Sequence, residues 1–162
     1  MPGQQHEVTF RFLAQPIDVN FGGKVHGGMA MKWIDQAGYA CAVGWSGAYC
    51  VTASVSGIRF VAPILIGDLV SVHARLVYTG HSSMHLVVDV FARDLRQGES
   101  RLATSCVMVF VALDAPDGKP TAVPSWLPSD ADERRLQAKA QELLALSRGM
   151  EQLVDARDDS CA

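Results

Sequence analysis

The sequence predicts an α+β fold in which one long helix is wrapped by a curved antiparallel sheet of about five strands, with a second helix at the C-terminus. Three observations lead there. Residues His26 to Trp45 place Met31, Ile34, Gly38, Cys41 and Ala42 near a 3.6-residue repeat. Residues 69–78 and 84–93 alternate apolar and polar side chains at period two, joined by the short turn Gly80–Ser83. After a proline-rich stretch, a helical pattern with a good cap begins near Ser129. A single helix laid across one sheet is the economical way to bury both apolar surfaces.

Taken in order, Val8 to Ala14 is a short strand, and Gln15 to Lys24 is a loop rich in turn formers. The long helix follows, stopped by Ser46-Gly47. Cys50 to Phe60 is the next strand, ended by Ala62-Pro63. In Leu69 to Tyr78, Val70, Val72, Ala74, Leu76 and Tyr78 should share one face, opposite Ser71, His73 and Arg75. In Met84 to Arg93, the buried set is Met84, Leu86, Val88, Val90 and Ala92. Arg96-Gln97-Gly98 turns the chain into Arg101 to Leu113, the most apolar strand and a candidate for the middle of the sheet. Ala115 to Pro128 carries four of the seven prolines and reads as an extended strap. Ser129 is the expected N-cap of the last helix, with Asp130, Asp132 and Glu133 where the dipole favours acids. That helix is expected to stop at about Arg148, before Gly149. The division is thus one domain over 1–128, followed by a helix and tail over 129–162.

At 162 residues, 49% hydrophobic and 19% charged, the chain is long enough for a proper core and is not a disordered one. A net charge of −3 with no basic block argues against nucleic acid as a partner. No apolar run opens the sequence, so neither a leader nor a membrane anchor is expected, and the cytoplasm is the expected compartment. Cys41, Cys50, Cys106 and Cys161 are scattered and suit reduced structural thiols, while the five histidines show no metal spacing. There is no G-x-S-x-G elbow for a serine nucleophile.

The chemistry concentrates in His26-Gly27-Gly28-Met29-Ala30-Met31-Lys32-Trp33-Ile34-Asp35. Two glycines at a helix start let a ligand approach the backbone, and the free N–H groups of the first turn can polarise an oxygen gaining negative charge. Asp35 follows on the same helix among apolar neighbours, where a carboxylate is either paired, for instance with Lys32, or chemically employed. A polarising helix end with a carboxylate suits acyl transfer to water. Gly27 and Asp35 are eight residues apart, about 12 Å along a helix, too far for one reacting carbon to touch both. Two antiparallel helices related by a dyad would bring Gly27 of one chain beside Asp35 of the other.

The run Pro16-Ile17-Asp18-Val19-Asn20-Phe21-Gly22-Gly23-Lys24-Val25-His26-Gly27-Gly28 resembles the hotdog-fold acyl-CoA thioesterases, in their acyl-CoA hydrolase branch. The likeness continues through Ser56-Gly57-Ile58-Arg59-Phe60, Pro63, Gly67-Asp68-Leu69-Val70 and Gly80-His81-Ser82-Ser83, and covers about residues 8 to 113. It implies hydrolysis of acyl-CoA to free acid and CoA, no metal and no bound cofactor. It also implies a homodimer paired edge to edge, with sites at the seam, assembling further to a tetramer or hexamer.

By the same resemblance, Asp35 is the general base or the nucleophile, and Gly27 or Gly28 holds the carbonyl oxygen. Asn20 holds the water or braces the loop. Lys24 stands where some relatives carry a catalytic Asp or Asn; it cannot act as their base, and it suits a CoA phosphate as well as it suits solvent. His26 orients the loop, caps the helix or touches substrate. Thr79, Ser82 and Ser83 lie in the hairpin that lines the CoA groove or thioester site in similar proteins, unless they are ordinary turn hydroxyls. Arg59 and Arg75 are candidates for the nucleotide phosphates.

The competing reading is a non-catalytic acyl-CoA-binding protein, a ligand sensor or scaffold. A pure binder gains nothing from an acid beside a thioester, which weighs against it. A dehydratase of the same fold would want D-x-x-x-x-H, and Ala40 stands five residues after Asp35.

Overall fold

The computed structural model describes residues 1–96 and 98–158, and side chains through Gly149. Its elements are β1 (Glu7–Leu13), α1 (Gly27–Ser46), β2 (Tyr49–Phe60), β3 (Leu69–Thr79), β4 (Ser83–Arg93), β5 (Ser100–Leu113) and α2 (Ala131–Asp158). A 3₁₀ turn over Pro16–Asp18 lies between β1 and α1. The strands form one antiparallel sheet in the order β1-β3-β4-β5-β2. The helix-then-strands arrangement is as expected. β4 takes the middle position, and β5 is the interior strand between it and β2.

The inner face of the sheet is the one the alternation marked. Met84, Leu86, Val88, Val90 and Ala92 are all fully buried, as are Val70, Val72 and Ala74 on β3. The valine, leucine and methionine side chains contribute roughly 1.5–3 kcal/mol each when fully buried, so this face anchors α1. The helix offers Trp33, Ile34, Ala37, Cys41, Ala42 and Trp45 in return. Phe12 of β1 meets Trp33 edge-on at 4.8 Å. At Gly38 a Cβ would lie 2.8 Å from Phe110 and 3.2 Å from the Met108 sulfur, so the absence of a side chain lets the helix settle directly on β5. Gly47 ends α1 in the left-handed conformation at φ 68°, its N–H bonded to the Val43 carbonyl.

The structure departs from the sequence reading in three places. Tyr78 does not continue the inner face: the register shifts between Leu76 and Tyr78, Val77 is buried on the outer side, and Tyr78 tilts against His85. A β-bulge has changed the facing of everything beyond it. The last helix is capped by Asp130, whose carboxylate accepts the Glu133 N–H at 2.8 Å. Ser129 instead gives its N–H and hydroxyl to Glu133, which holds that carboxyl below its ordinary range. The helix then runs through Gly149 to Asp158, since one exposed glycine costs about 1 kcal/mol and does not stop a long helix. Cys161 lies outside the described residues, and so does Gln97 of the expected turn.

α2 covers the outer face of the sheet, where the Ser56 and Ser147 hydroxyls meet at 3.0 Å. The strap before it is tied at two points: Trp45 donates its indole N–H to the Pro124 carbonyl, and the Thr79 hydroxyl accepts the Trp126 N–H. Asp68 organises the entry to β3. Its buried carboxylate accepts the Leu65 N–H at 2.8 Å and pairs with Arg101, which also binds the Pro63 carbonyl. The Gly67-Asp68-Leu69-Val70 run is thus a turn closed by an ion pair, with Gly67 at φ 83°.

Candidate active site

The N-terminus of α1 is built by backbone alone. His26 is the cap, with no side-chain hydrogen bond to the helix; its N–H goes to the Asp18 carbonyl, and its carbonyl accepts the Ala30 N–H. The N–H groups of Gly27 and Gly28 meet no acceptor among the described residues and stand free, as a helix start requires. The preceding loop is held by Asn20. Its side-chain oxygen accepts the Gly22 and Lys24 N–H groups at 2.9 and 3.3 Å, while its backbone pairs with Lys24 and Gly23. Asn20 braces the turn, and its amide nitrogen makes no hydrogen bond among the described residues.

Two cavities flank this helix end. One, of about 340 Å³, lies on the Gly27 side among Asn20, Lys24, Phe60, Pro63 and Thr104. Phe60 lies close enough that a Cβ on Gly27 would sit 3.3 Å from its ring, whereas Gly28 opens onto free space. The other cavity, of about 320 Å³, is bordered by both Gly28 and Asp35, one helix face spanning about 10 Å.

Asp35 has one hydrogen-bond partner among the described residues: the Thr52 hydroxyl donates to its Oδ1 at 2.6 Å. Lys32 borders the same cavity without pairing to it. Thr52 is the residue that sequence reasoning missed. It sits in a run of small residues on β2, seventeen positions from Asp35, and only the packing of β2 along α1 reveals the contact.

Within one chain, Asn20, Lys24, His26, Gly27, Gly28 and Arg59 gather at one end of the sheet, with Asp35 two turns along the helix. The hairpin residues lie at the other end. Phe60 pairs with Thr104 beside Gly27, whereas Ser83 pairs with Val111 and Tyr49 with Leu113 near the end of α1. There Thr79 holds the strap, the Ser82 carbonyl accepts the Ala112 N–H, and the Ser83 hydroxyl contacts His85 Nε2 at 3.3 Å. Arg59 is exposed beside Phe60, but Arg75 faces Asp89 at 3.8 Å on the outer face, away from α1.

Cys41, Cys50 and Cys106 are free and buried. Desolvation pushes the Cys41 and Cys106 thiols up to about 12 and raises Cys50 as well, which suppresses the thiolate a nucleophile needs. Among the described residues, no group of three or more His, Cys, Asp or Glu is placed to hold a metal ion. No helix among them is long and apolar enough to cross a membrane.

The thioesterase superfamily model matches residues 22–99, the stretch that contains the glycines, Asp35 and Thr52. The acyl-CoA thioester hydrolase YciA of Salmonella typhimurium is 34% identical over 123 residues, covering 74% of this chain and 92% of its own. The acyl-CoA hydrolase of Staphylococcus aureus, solved with butyryl coenzyme A and coenzyme A, superposes with a TM-score of 0.88 at 28% identity, covering 99% of this chain and 97% of that one. That hydrolase has also been solved with alanine replacing an asparagine, an aspartate and a threonine, which are spaced 15 and 17 residues apart. A hexameric thioesterase of Yersinia pestis matches at 34% identity with a TM-score of 0.67, over 72% of this chain and 93% of its own. On these likenesses, the chain belongs to the hotdog-fold acyl-CoA thioesterase family and is a thioester hydrolase.

Proposed function

We propose that the protein hydrolyses acyl-CoA to a free carboxylic acid and CoA, with Asp35 as general base and the N–H groups of Gly27 and Gly28 as the oxyanion site. The observation that carries the proposal is Asp35, held by the Thr52 hydroxyl at the edge of a cavity along α1, where a second chain could bring its helix-end glycines. The spacing of Asn20, Asp35 and Thr52, 15 and 17 residues, equals that of the three residues substituted in the staphylococcal hydrolase, which supports assigning them to one site.

Asp35 takes a proton from water as the water oxygen attacks the thioester carbon. The carbonyl oxygen gains charge against the helix-end N–H groups, where one such donor contributes ~3 kcal/mol. Collapse breaks the C–S bond, and the proton held by Asp35 passes to the departing CoA sulfur. The acid leaves as carboxylate once its own proton is lost to solvent. Asn20 keeps the loop in the shape that presents Gly27, and Lys24, which lines the cavity on the Gly27 side, is proposed to meet the CoA arm together with Arg59 and His26.

The site is proposed to be shared. β2 is an edge strand with Val55 and Phe60 exposed along it, a surface suited to pairing with a second copy. A dyad there sets Gly27 of one protomer beside Asp35 of its partner and brings the far-end hairpin of the partner, with Thr79, Ser82 and Ser83, toward the cleft. Assembly beyond the dimer, to a tetramer or hexamer, is proposed from the hexameric relative. A cytoplasmic setting is proposed from the free, buried thiols.

The test is thiol release from acetyl, medium-chain, long-chain and aromatic acyl-CoAs by the wild type and by Asp35→Asn. The wild type should turn over, and the variant should lose about 10³-fold in kcat. Single turnover in ¹⁸O-water should leave Asp35 unlabelled; label in its carboxylate would assign the anhydride route instead. CoA binding without turnover of any member would move the protein to the ligand-sensor reading.

A further inference from the structure

The loop that leads into α1 is held from the sheet as well as by Asn20. The Val25 N–H bonds to the Ile64 carbonyl at 2.9 Å, and Lys24 forms an antiparallel bridge with Leu65. On its other side, the Asn20 N–H reaches the Lys24 carbonyl at 2.7 Å, and the His26 N–H reaches the Asp18 carbonyl at 2.9 Å. The chain thus arrives at Gly27 as a short ribbon whose outer rung is Ile64-Leu65. These two residues lie outside any strand, so their place depends on what holds the connector between β2 and β3.

Arg101 grips that connector at both ends. Its guanidinium donates to the Pro63 carbonyl through Nε and Nη2, at 3.3 and 3.0 Å, and pairs with the Asp68 carboxylate. Asp68 passes the hold to Leu65: its carboxylate accepts the Leu65 N–H at 2.8 Å, and its own N–H goes to the Leu65 carbonyl at 3.1 Å. The Asp68 side chain is 5% exposed, so water offers little in place of these bonds. Arg101 itself stands on β5 with Ala92 of β4 as its register partner, which ties the grip to the interior of the sheet.

We propose that Arg101 is a positioning residue for the reaction. With Asp68 it fixes the connector, and through Ile64 and Leu65 the connector sets the angle at which Val25 delivers the Gly27 and Gly28 N–H groups. The proposal rests on the reading of those groups as the oxyanion site. Lysine carries the same charge as arginine, but its single nitrogen on a flexible stem cannot hold the Pro63 and Asp68 oxygens as the planar fork does. Removing one oxyanion donor costs about 10²–10³ in kcat, so misaiming a donor that remains should cost about tenfold. The contact strengthens only as charge develops, so the loss falls on kcat more than on KM.

The experiment compares the full-length wild type with Arg101→Lys in thiol release from the acyl-CoA panel, with kcat expressed per folded chain. Amide hydrogen exchange of the same proteins, resolved by NMR, reads Val25 and His26. Arg101→Lys should lower kcat by about tenfold with KM within about threefold. Exchange at Val25 and His26 should quicken by about tenfold or more, while the β4 amides keep their wild-type protection. Asp68→Asn keeps an oxygen for the Leu65 N–H and carries the same test if Arg101→Lys does not fold. A lower Tm with wild-type kcat per folded chain, or faster exchange spread over the whole sheet, overturns the positioning role and leaves the hydrolysis reading standing. Selective exchange at Val25 and His26, in a protein whose wild type turns over no acyl-CoA, upholds the link from Arg101 to the helix start and overturns the hydrolysis reading.

Discussion

Thr52→Val removes one hydroxyl, keeps the shape of the side chain and leaves Asp35 without its only hydrogen-bond partner among the described residues. A hydrogen bond to an ionised group contributes roughly 1.5–3 kcal/mol. The pair lies toward solvent, so water replaces part of that, and folding stability should change by less than about 0.5 kcal/mol. The loss falls on orientation. A carboxylate free to rotate spends less time aimed at the attacking water, and about 1.5–2 kcal/mol on the barrier corresponds to a kcat lower by about ten- to thirtyfold. KM should stay within about twofold, because Thr52 holds the proposed base and is not among the residues proposed to meet CoA. Steady-state thiol release with the best acyl-CoA reads both constants, and Thr52→Ser should recover most of the rate. Combined with Asp35→Asn, the substitution should cost little more, since the two residues act as one unit. A full multiplicative loss in the double variant, or a kcat within twofold of wild type in the single one, would refute the coupling.

Mixing Asp35→Ala chains with Gly27→Val chains should restore about half the wild-type rate in verified heterodimers, because one of the two seam sites is then intact; inactive heterodimers would place both groups of a site in one chain. Arg101→Ala leaves the Asp68 carboxylate buried with only the Leu65 N–H, so calorimetry should show a loss of about 3 kcal/mol and a Tm lower by roughly 6–12 °C. A change under 1 kcal/mol would show that solvent already screens the pair. Burial first, and the Arg148 charge second, push His85 down to about 4 from its ordinary 6.5. The unfolded chain therefore binds the proton first: this contribution is whole above pH 6.5 and disappears as pH falls to about 4, up to about 3 kcal/mol. Urea unfolding at pH 7, 5 and 4 should show that slope in the wild type and a flatter one in His85→Asn; equal slopes would assign the acid sensitivity to other groups.

The strands were legible wherever one face met α1, because burial on a single face writes a period of two directly into β3 and β4. The pattern lapses at Val77, where α2 covers the outer face and the bulge turns a second apolar residue toward it; alternation carries no mark of a helix that arrives sixty residues later. The end of α2 was misplaced because Gly149 lowers helix propensity without removing a backbone donor. At the site, the glycines and Asp35 stood out, since a helix rarely opens on two glycines and rarely carries a lone acid among aromatic residues. Thr52 did not, because a hydroxyl on an edge strand has no sequence signature until another element meets it. Asp68 was visible as part of a motif, but its work in closing a turn against Arg101 emerges only from the paired strands.

Gly38 and Phe110 give the helix a keyway. With no side chain at Gly38, the aromatic ring seats against the helix backbone and indexes the rotation of α1 about its own axis. Asp35 lies three positions earlier, about 6 Å from that axis, so a turn of about ten degrees would swing its carboxylate by about 1 Å. Displacements of that size can cost a hundredfold in rate. The aim of the Asp35 carboxylate, the proposed general base, is therefore set from behind, by the fit of a ring against bare backbone on the face that packs on β5. Core substitutions along β5 should register as changes in turnover before they register as unfolding.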